Sequence, residues 1–296
     1  MDIHDYLKER QGRIDRALDR YLSEWKQHPK NLYKAMAYSV FSGGKRLRPI
    51  LTLAVGELFG AKQRDLLPFA CALEFIHTYS LIHDDLPALD DDDLRREKLA
   101  SHKLFGEGIA LLAGDALLTE AFHLMTRPQV VRALGPKLIL EVVHEVAHGA
   151  GVGGLVGGQA VDLEVEGQEV NIATVEYIHV RKTGALILTA ARVGARIGGA
   201  TPKELRGISR YAEFLGLAFQ ITDDILDAEG YSGEAYQAKT DNKERKKATY
   251  PSVVGFPAAK ARSQELLQNC LKEIDLFGEA ADPLRGIARY VVERAV

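Results

Sequence analysis

Cysteine is nearly missing from this chain: Cys71 and Cys270 are the only two in 296 residues. Two cannot build a disulfide framework, and neither belongs to a C-x-x-C pair, so a small disulfide-stapled scaffold is excluded. Surplus charge of one sign is missing as well. The 38 Lys+Arg against 41 Asp+Glu leave a formal net charge of −3, which gives neither the basic footprint of a nucleic-acid binder nor a polybasic membrane anchor. No unbroken apolar run approaches the ~18 residues of a spanning helix. The opening MDIHDYLKERQGRIDR lacks the apolar stretch of a signal peptide. Alternating Val/Ile/Thr runs between hairpin turns are absent too, which argues against a sheet. What remains, 46% hydrophobic and 27% charged residues, predicts a folded cytoplasmic protein with no nucleic-acid partner and no stable membrane anchor.

The period that is present is helical. Ile3, Tyr6, Leu7, Ile14, Leu18, Tyr21 and Leu22 fall on one stripe at three- and four-residue steps. Similar stripes run through 31–42, 47–59, 66–83, 108–125, 132–148, 172–198, 203–227, 251–276 and 282–294. Gly43-Gly44, Gly60, Arg127-Pro128, Gly135-Pro136, Gly198-Gly199 and Thr201-Pro202 supply the stops between them. Thr201-Pro-Lys-Glu204 has the pattern of a capped helix start. About ten helices with short connectors and no break in composition predict one all-α domain over residues 1–296. Two stretches depart from the pattern, 84–104 (acidic, then basic) and 228–249 (rich in Gly and Lys), and these are the expected functional loops.

The run His83-Asp-Asp-Leu-Pro-Ala-Leu-Asp-Asp-Asp-Asp-Leu-Arg-Arg96 follows directly on the apolar helix Cys71–Ile82. Carboxylates this dense at the end of a buried helix are costly unless a cation neutralises them. Oxygen donors without Cys or His suit Mg²⁺ rather than zinc, and the EF-hand spacing does not occur. A second acidic cluster lies about 140 positions on, in Phe219-Gln-Ile-Thr-Asp-Asp-Ile-Leu-Asp227. Asp223 and Asp227 share a helical face there, with Gln220 one turn before Asp223. Since Mg²⁺ prefers to be shared between a few carboxylates and substrate phosphates, a diphosphate is the implied ligand.

Basic residues answer that chemistry. Gly43-Gly-Lys-Arg-Leu-Arg-Pro49, Arg95-Arg96, Arg181-Lys182-Thr183 and the Lys239–Lys247 stretch offer bidentate and point-charge partners for phosphate. The first is not a Walker loop, because Ser39 stands where that motif needs Gly. Two other patterns are weighed against it. His144-Glu-Val-Ala-His148 matches the zinc-peptidase H-E-x-x-H but also reads as the wet side of an amphipathic helix. Gly149-Ala-Gly-Val-Gly-Gly154 follows a helix rather than a strand, so its glycines are read as allowing close helix packing instead of dinucleotide binding.

Taken together, these residues resemble the trans-prenyltransferases, in particular bacterial short-chain members of the farnesyl diphosphate synthase type, over nearly the whole chain. The first aspartate-rich motif of that family, in its Asp-Asp-x-x-x-x-Asp form, is matched by Asp84, Asp85 and Asp90, and the second by Asp223, Asp224 and Asp227. Gly157-Gly-Gln-Ala-Val-Asp162 matches a further signature. The resemblance implies an all-α bundle around a central cavity, a homodimer, and three Mg²⁺ ions bridging both motifs to an allylic diphosphate. It also implies an isopentenyl diphosphate site of Lys45, Arg48, His77 and Arg96. Arg95, Lys182, Gln220, Lys239 and Lys247 would face the allylic diphosphate, and Lys182 with Thr183 the developing cation. The reaction implied is head-to-tail condensation of isopentenyl diphosphate with dimethylallyl or geranyl diphosphate. The product is expected to be C15, with a C20 synthase of the same family as the alternative. A non-catalytic subunit of a heteromeric synthase is the remoter reading, since both aspartate motifs are complete.

Two departures from the family pattern carry their own expectations. Glu97-Lys-Leu-Ala100 stands where the family has Gly-Lys-Pro-Thr, which should cost the loop its Gly and Pro geometry. A carboxylate beside Arg95 and Arg96 should raise KM unless it points to solvent. The family's Gly-Lys-x-x-Gly-x-Asp is shortened to Ala238-Lys-Thr-Asp241. For product length, Ser80 and Tyr79 lie four and five residues before Asp84, so Tyr79 sits about 7.5 Å deeper along the helix, where the farnesyl-type members also carry Tyr. There it would floor the space for a growing tail.

Overall fold

The computed structural model describes residues 2–27, 29–230 and 249–293. The chain is all-α, as its period requires. By internal packing it divides into two compact units, Asp2–Val146 with Val193–Gly199, and Ala147–Arg192 with Ala200–Val296.

The first unit holds α1 (Ile3–Ser23), α2 (Lys30–Val40), α3 (Leu47–Leu58), α4 (Gln63–Asp84), α5 (Ser101–Phe105), α6 (Glu107–Met125), α7 (Pro128–Leu134) and most of α8 (Pro136–Ala150). Asp2 caps α1, its carboxylate accepting the His4 N–H at 2.8 Å. The stripe Ile14, Leu18, Tyr21 and Leu22 is buried, as its spacing predicts. α4 differs: Leu66, Phe69, Leu73, Phe75, Ile76 and Ile82 bury its whole circumference, with α3 and α6 packed against it. The acidic-basic stretch after α4 is not all loop. It closes in an antiparallel pair of two-residue strands, β1 (Leu94–Arg95) and β2 (Lys98–Leu99), with Arg95 opposite Lys98.

Hydropathy corrects one expectation. Gln63–Asp84, Glu107–Met125 and Pro136–Glu164 each contain an 18-residue stretch, of mean hydropathy 1.2, 1.3 and 1.2 in turn, and are long and apolar enough to cross a membrane by length and composition. Scattered polar residues break each run without lowering its mean much. In α4 the apolarity is that of a core helix, since 78% of that stretch is buried. The stretch in α6 is only 44% buried and leaves Leu111 and Leu112 exposed.

The second unit contains α9 (Leu155–Glu164), α10 (Ile172–Ile178), a π-helical turn (His179–Gly184) and most of α11 (Ala185–Ile197). It also contains α12 (Pro202–Gly230), α13 (Tyr250–Val254), α14 (Phe256–Glu273) and α15 (Asp282–Glu293). The Thr201 cap forms as expected, with the Glu204 carboxylate accepting the Thr201 N–H at 2.7 Å. The 29-residue α12 buries Ile208, Tyr211, Leu215, Ile221 and Ile225 against α14 and α15. Tyr211 Oη donates to the Leu284 carbonyl at 2.8 Å. The single stripe expected over 172–198 is in fact α10 and α11 joined by the π turn, and more helices are described than the ten or so expected. Cys71 and Cys270 are buried and unbridged.

Candidate functional site

In the first unit, α4 delivers Asp84 at its last turn and Asp85 at its cap. The chain then curls back. Leu89 N–H donates to Leu86 O at 2.9 Å, and Asp90 N–H donates to Asp84 O at 2.7 Å, which sets Asp90 beside Asp84 across five intervening residues. Asp84 and Asp90 are half-buried, whereas Asp85 is buried and accepts from Arg95 Nε at 2.9 Å and from the same guanidinium's terminal nitrogen. Burial raises the Asp85 pKa, and the Arg95 hydrogen bond offsets only part of that rise. Arg95, one of the cations expected at the allylic diphosphate, is thus already paired with an aspartate of the first motif, with Asp92 3.8 Å away.

The isopentenyl diphosphate candidates gather around His77. Burial, and after it the charges of Arg48, Arg96, Arg95 and Arg46, push its pKa well down, so the imidazole is neutral in a ring of cations. Arg96 donates to the Gly43 carbonyl, which ties the turn between β1 and β2 to the loop carrying Lys45 and Arg48. Lys45 is exposed and Arg48 buried. Sequence reasoning missed Arg46, which holds this loop. Its Nε, Nη1 and Nη2 donate to Asp15 at 2.9 Å, Glu74 at 2.7 Å and the Val40 carbonyl at 2.6 Å. The loss of turn geometry expected at Glu97 does not occur: Arg96 (φ 51) and Glu97 (φ 63) both adopt the left-handed conformation a two-residue hairpin turn requires, and Glu97 is exposed. Tyr79 and Ser80 are buried on α4, and Ser80 Oγ donates to the His77 carbonyl at 2.8 Å.

In the second unit the three residues expected at the reacting end come together. Lys182 and Thr183 lie in the π turn, and Thr183 Oγ1 donates to Gln220 Oε1 at 2.8 Å. Gln220 Nε2 donates in turn to Asp224 Oδ1 at 3.1 Å. The other oxygen of Asp224 accepts the Tyr250 N–H at 2.7 Å and lies 3.2 Å from His179 Nε2. Asp224 is therefore buried within its own network, while Asp223 is half-buried and Asp227 exposed on α12. Lys182 Nζ donates to Asp162 Oδ2 at 2.8 Å, which gives the last residue of the Gly157–Asp162 signature a partner that its sequence alone did not name. The turn is wedged from two sides by glycines: a Cβ on Gly158 of α9 would sit 2.7 Å from Lys182 Cα, and one on Gly216 of α12 would sit 2.8 Å from Gly184 Cα. Lys239 and Lys247 lie outside the described residues.

Could these groups hold Mg²⁺? Among the described residues, no three His, Cys, Asp or Glu side chains are gathered tightly enough to cage an ion alone. Asp84, Asp90 and Asp223, which are half-buried, and Asp227, which is exposed, do suit an ion that takes one or two carboxylates and completes its shell with phosphate and water. The competing zinc motif does not assemble. His144 and His148 are exposed, and Glu145, the base it needs, is ion-paired to Arg196.

Comparison with known proteins agrees with this chemistry. The profile of one family, Polyprenyl synthetase, matches residues 29–280. A farnesyl diphosphate synthase of Geobacillus stearothermophilus is 44% identical over 283 residues, which cover 95% of each chain. A geranylgeranyl diphosphate synthase of Cyanophora paradoxa is also 44% identical, over 98% of this chain and 95% of its own. The crystal structure of a geranyltransferase from Legionella pneumophila superposes with a TM-score of 0.89 at 29% identity, covering 99% of this chain and 98% of that one.

Proposed function

The chain belongs to the polyprenyl synthetase family and is a prenyltransferase, and from that premise we propose that it joins isopentenyl diphosphate head to tail to dimethylallyl and geranyl diphosphate, with Mg²⁺, and stops at C15 farnesyl diphosphate. The observation that carries the diphosphate chemistry is the Asp90–Asp84 backbone bond, which returns a third carboxylate to the end of α4. Asp84, Asp90, Asp223 and Asp227 would hold the ions, three when substrate is bound, with Asp85 and Asp224 behind them. Bound Mg²⁺ supplies electrostatic stabilisation of the departing diphosphate.

The protein's own groups do the rest. Arg95 and Lys182 add positive charge as the diphosphate leaves, each exchanging an aspartate partner for a phosphate. Thr183 Oγ1 and Gln220 Oε1, fixed by their mutual hydrogen bond, place oxygen dipoles where an allylic cation develops. Lys45, Arg48, Arg96 and neutral His77 orient the second diphosphate. No described side chain is placed as a dedicated base, so the released diphosphate is assigned the proton lost from the new C–C unit. The C15 stop rests on Tyr79, which lies buried more than one turn before Asp84. A geranylgeranyl synthase at the same identity keeps C20 as the second reading.

The homodimer belongs to this proposal too. Leu104, Leu111 and Leu112 are each about half exposed around α6, an apolar face that a second copy of this chain would cover. The deciding experiment incubates labelled isopentenyl diphosphate with geranyl diphosphate and reads product length. Asp84→Ala and Asp223→Ala should each abolish turnover at saturating Mg²⁺, and Tyr79→Ala should shift C15 toward C20 while Tyr79→Phe does not. Full turnover in either aspartate variant would refute the mechanism, and C15 alone from Tyr79→Ala would refute the floor.

A further inference from the structure

We propose that His83, seated against Gly114 of α6, is a positioning residue that holds Tyr79 in place and thereby helps set product length. This rests on the reading of Tyr79 as the floor. His83 follows Tyr79 by one helical turn, and the two rings meet edge to face, with centroids 5.6 Å apart and planes at 80°. The imidazole is also anchored on α6: Nε2 lies 3.0 Å from the Leu111 carbonyl oxygen and 3.9 Å from Asp115 Oδ1. A carbonyl accepts only, so Nε2 carries the proton. The ring fits there because α6 has no side chain at Gly114. A Cβ at that position would fall on Nε2 and Cδ2 and lie 3.0 Å from Cε1.

The floor therefore has two layers. Tyr79 forms the first, and His83, in contact with the Tyr79 ring and with the α6 backbone at Leu111 and Gly114, forms the second. An aromatic side chain on a helix turns aside when the volume beside it is empty, and a hydrocarbon tail pressing on it would supply the push. With His83 there, the Tyr79 ring has no room to yield in that direction. His83 itself need not touch the substrate, and its effect passes through Tyr79.

Product chain length is the direct readout, because a purely structural role would lower turnover without changing the ratio of products. In the two-substrate assay, His83→Ala should raise the C20 fraction at least tenfold with Tyr79 intact. Gly114→Ala keeps His83 but drives it off α6 toward Tyr79, so geranyl product should accumulate from dimethylallyl diphosphate. This variant also tests the idea if His83→Ala folds poorly. In a Tyr79→Ala background, His83→Ala should add nothing further. Wild-type product ratios from both single variants, beside C20 from Tyr79→Ala, would overturn this inference and leave the floor standing. C15 from all three would overturn the floor and this inference with it.

Discussion

Gly158→Ala adds a single methyl group at the point where α9 meets the π turn. That Cβ would lie 2.7 Å from Lys182 Cα and 2.8 Å from Arg181 C, against carbon contacts of about 3.5–4.0 Å. The deficit is about 1 Å, and the obstructing atoms are backbone, so no side chain can swing away to relieve it. Either α9 or the turn must move. Overpacking of this kind costs about 1–3 kcal/mol, which for a chain of this size lowers Tm by about 2–5 °C. The larger effect should be on turnover. Lys182 and Thr183 ride on the displaced segment, and a misplacement of about 1 Å can cost ~100-fold in rate. We therefore expect kcat to fall by one to two orders of magnitude while KM for isopentenyl diphosphate, whose candidate ligands lie on other elements, stays within a few fold. Steady-state kinetics with geranyl diphosphate, alongside thermal melts, would show this split. Gly108→Ala is the control, since nothing lies within 4 Å of its added Cβ, and it should stabilise α6 by about 0.5–1 kcal/mol. If Gly158→Ala kept its kcat within twofold and its melting temperature, the turn would not be wedged as described.

Arg46→Ala would strand Glu74 as a buried, uncompensated carboxylate, and should cost about 3–5 kcal/mol in a denaturant titration. Glu97→Gly would relieve a side chain held at φ 63 and should raise Tm by about 2–4 °C without lowering KM, because the carboxylate is exposed. The acid limb of stability should carry a contribution from His77. Its pKa in the folded protein is pushed down by burial and then by Arg48 and its neighbours, so the unfolded chain takes up the proton first. Stability from this residue is present above pH ~6.5 and is lost as pH falls below that value, by at most about 1.4 kcal/mol per unit. Urea midpoints at pH 7.5 and 5.5 should differ less in His77→Asn than in the parent chain, and equal differences would count against the assignment.

The acidic motifs were legible because helical period and spacing alone put Asp223 and Asp227 on one face and Asp84 at the end of an apolar helix. Arg46 was not, for a physical reason. In Gly-Gly-Lys-Arg-Leu-Arg the three cations look alike, and it is the left-handed backbone at Arg46 that goes with its aim toward Asp15 and Glu74. His179 was missed because its partner Asp224 lies 45 positions away in sequence, beyond the reach of any local pattern. The hairpin turn at Arg96-Glu97 was misjudged because residue preference suggested a lost glycine conformation, whereas the surrounding contacts hold two ordinary residues in it. Lys182–Asp162 and Thr183–Gln220 likewise became visible only once the chain had brought α9, the π turn and α12 together.

The π turn can also be regarded as a change of phase. Each residue of an α-helix advances the side-chain direction by about 100°, and widening one turn to i→i+5 bonding absorbs one extra residue. Ahead of it, Val175 and Ile178 point into the core; beyond it, Leu186, Ile187, Ala190 and Ala191 do so on a stripe reset by that angle. Deleting a single residue between His179 and Gly184 would restore an ordinary helix with nearly the same hydrophobic content. Its two halves could then not both keep their cores and still aim Lys182 at Asp162 and Thr183 at Gln220. One residue of chain length, which composition and hydropathy scarcely register, thus separates a helix that only packs from one that also presents a reactive pair.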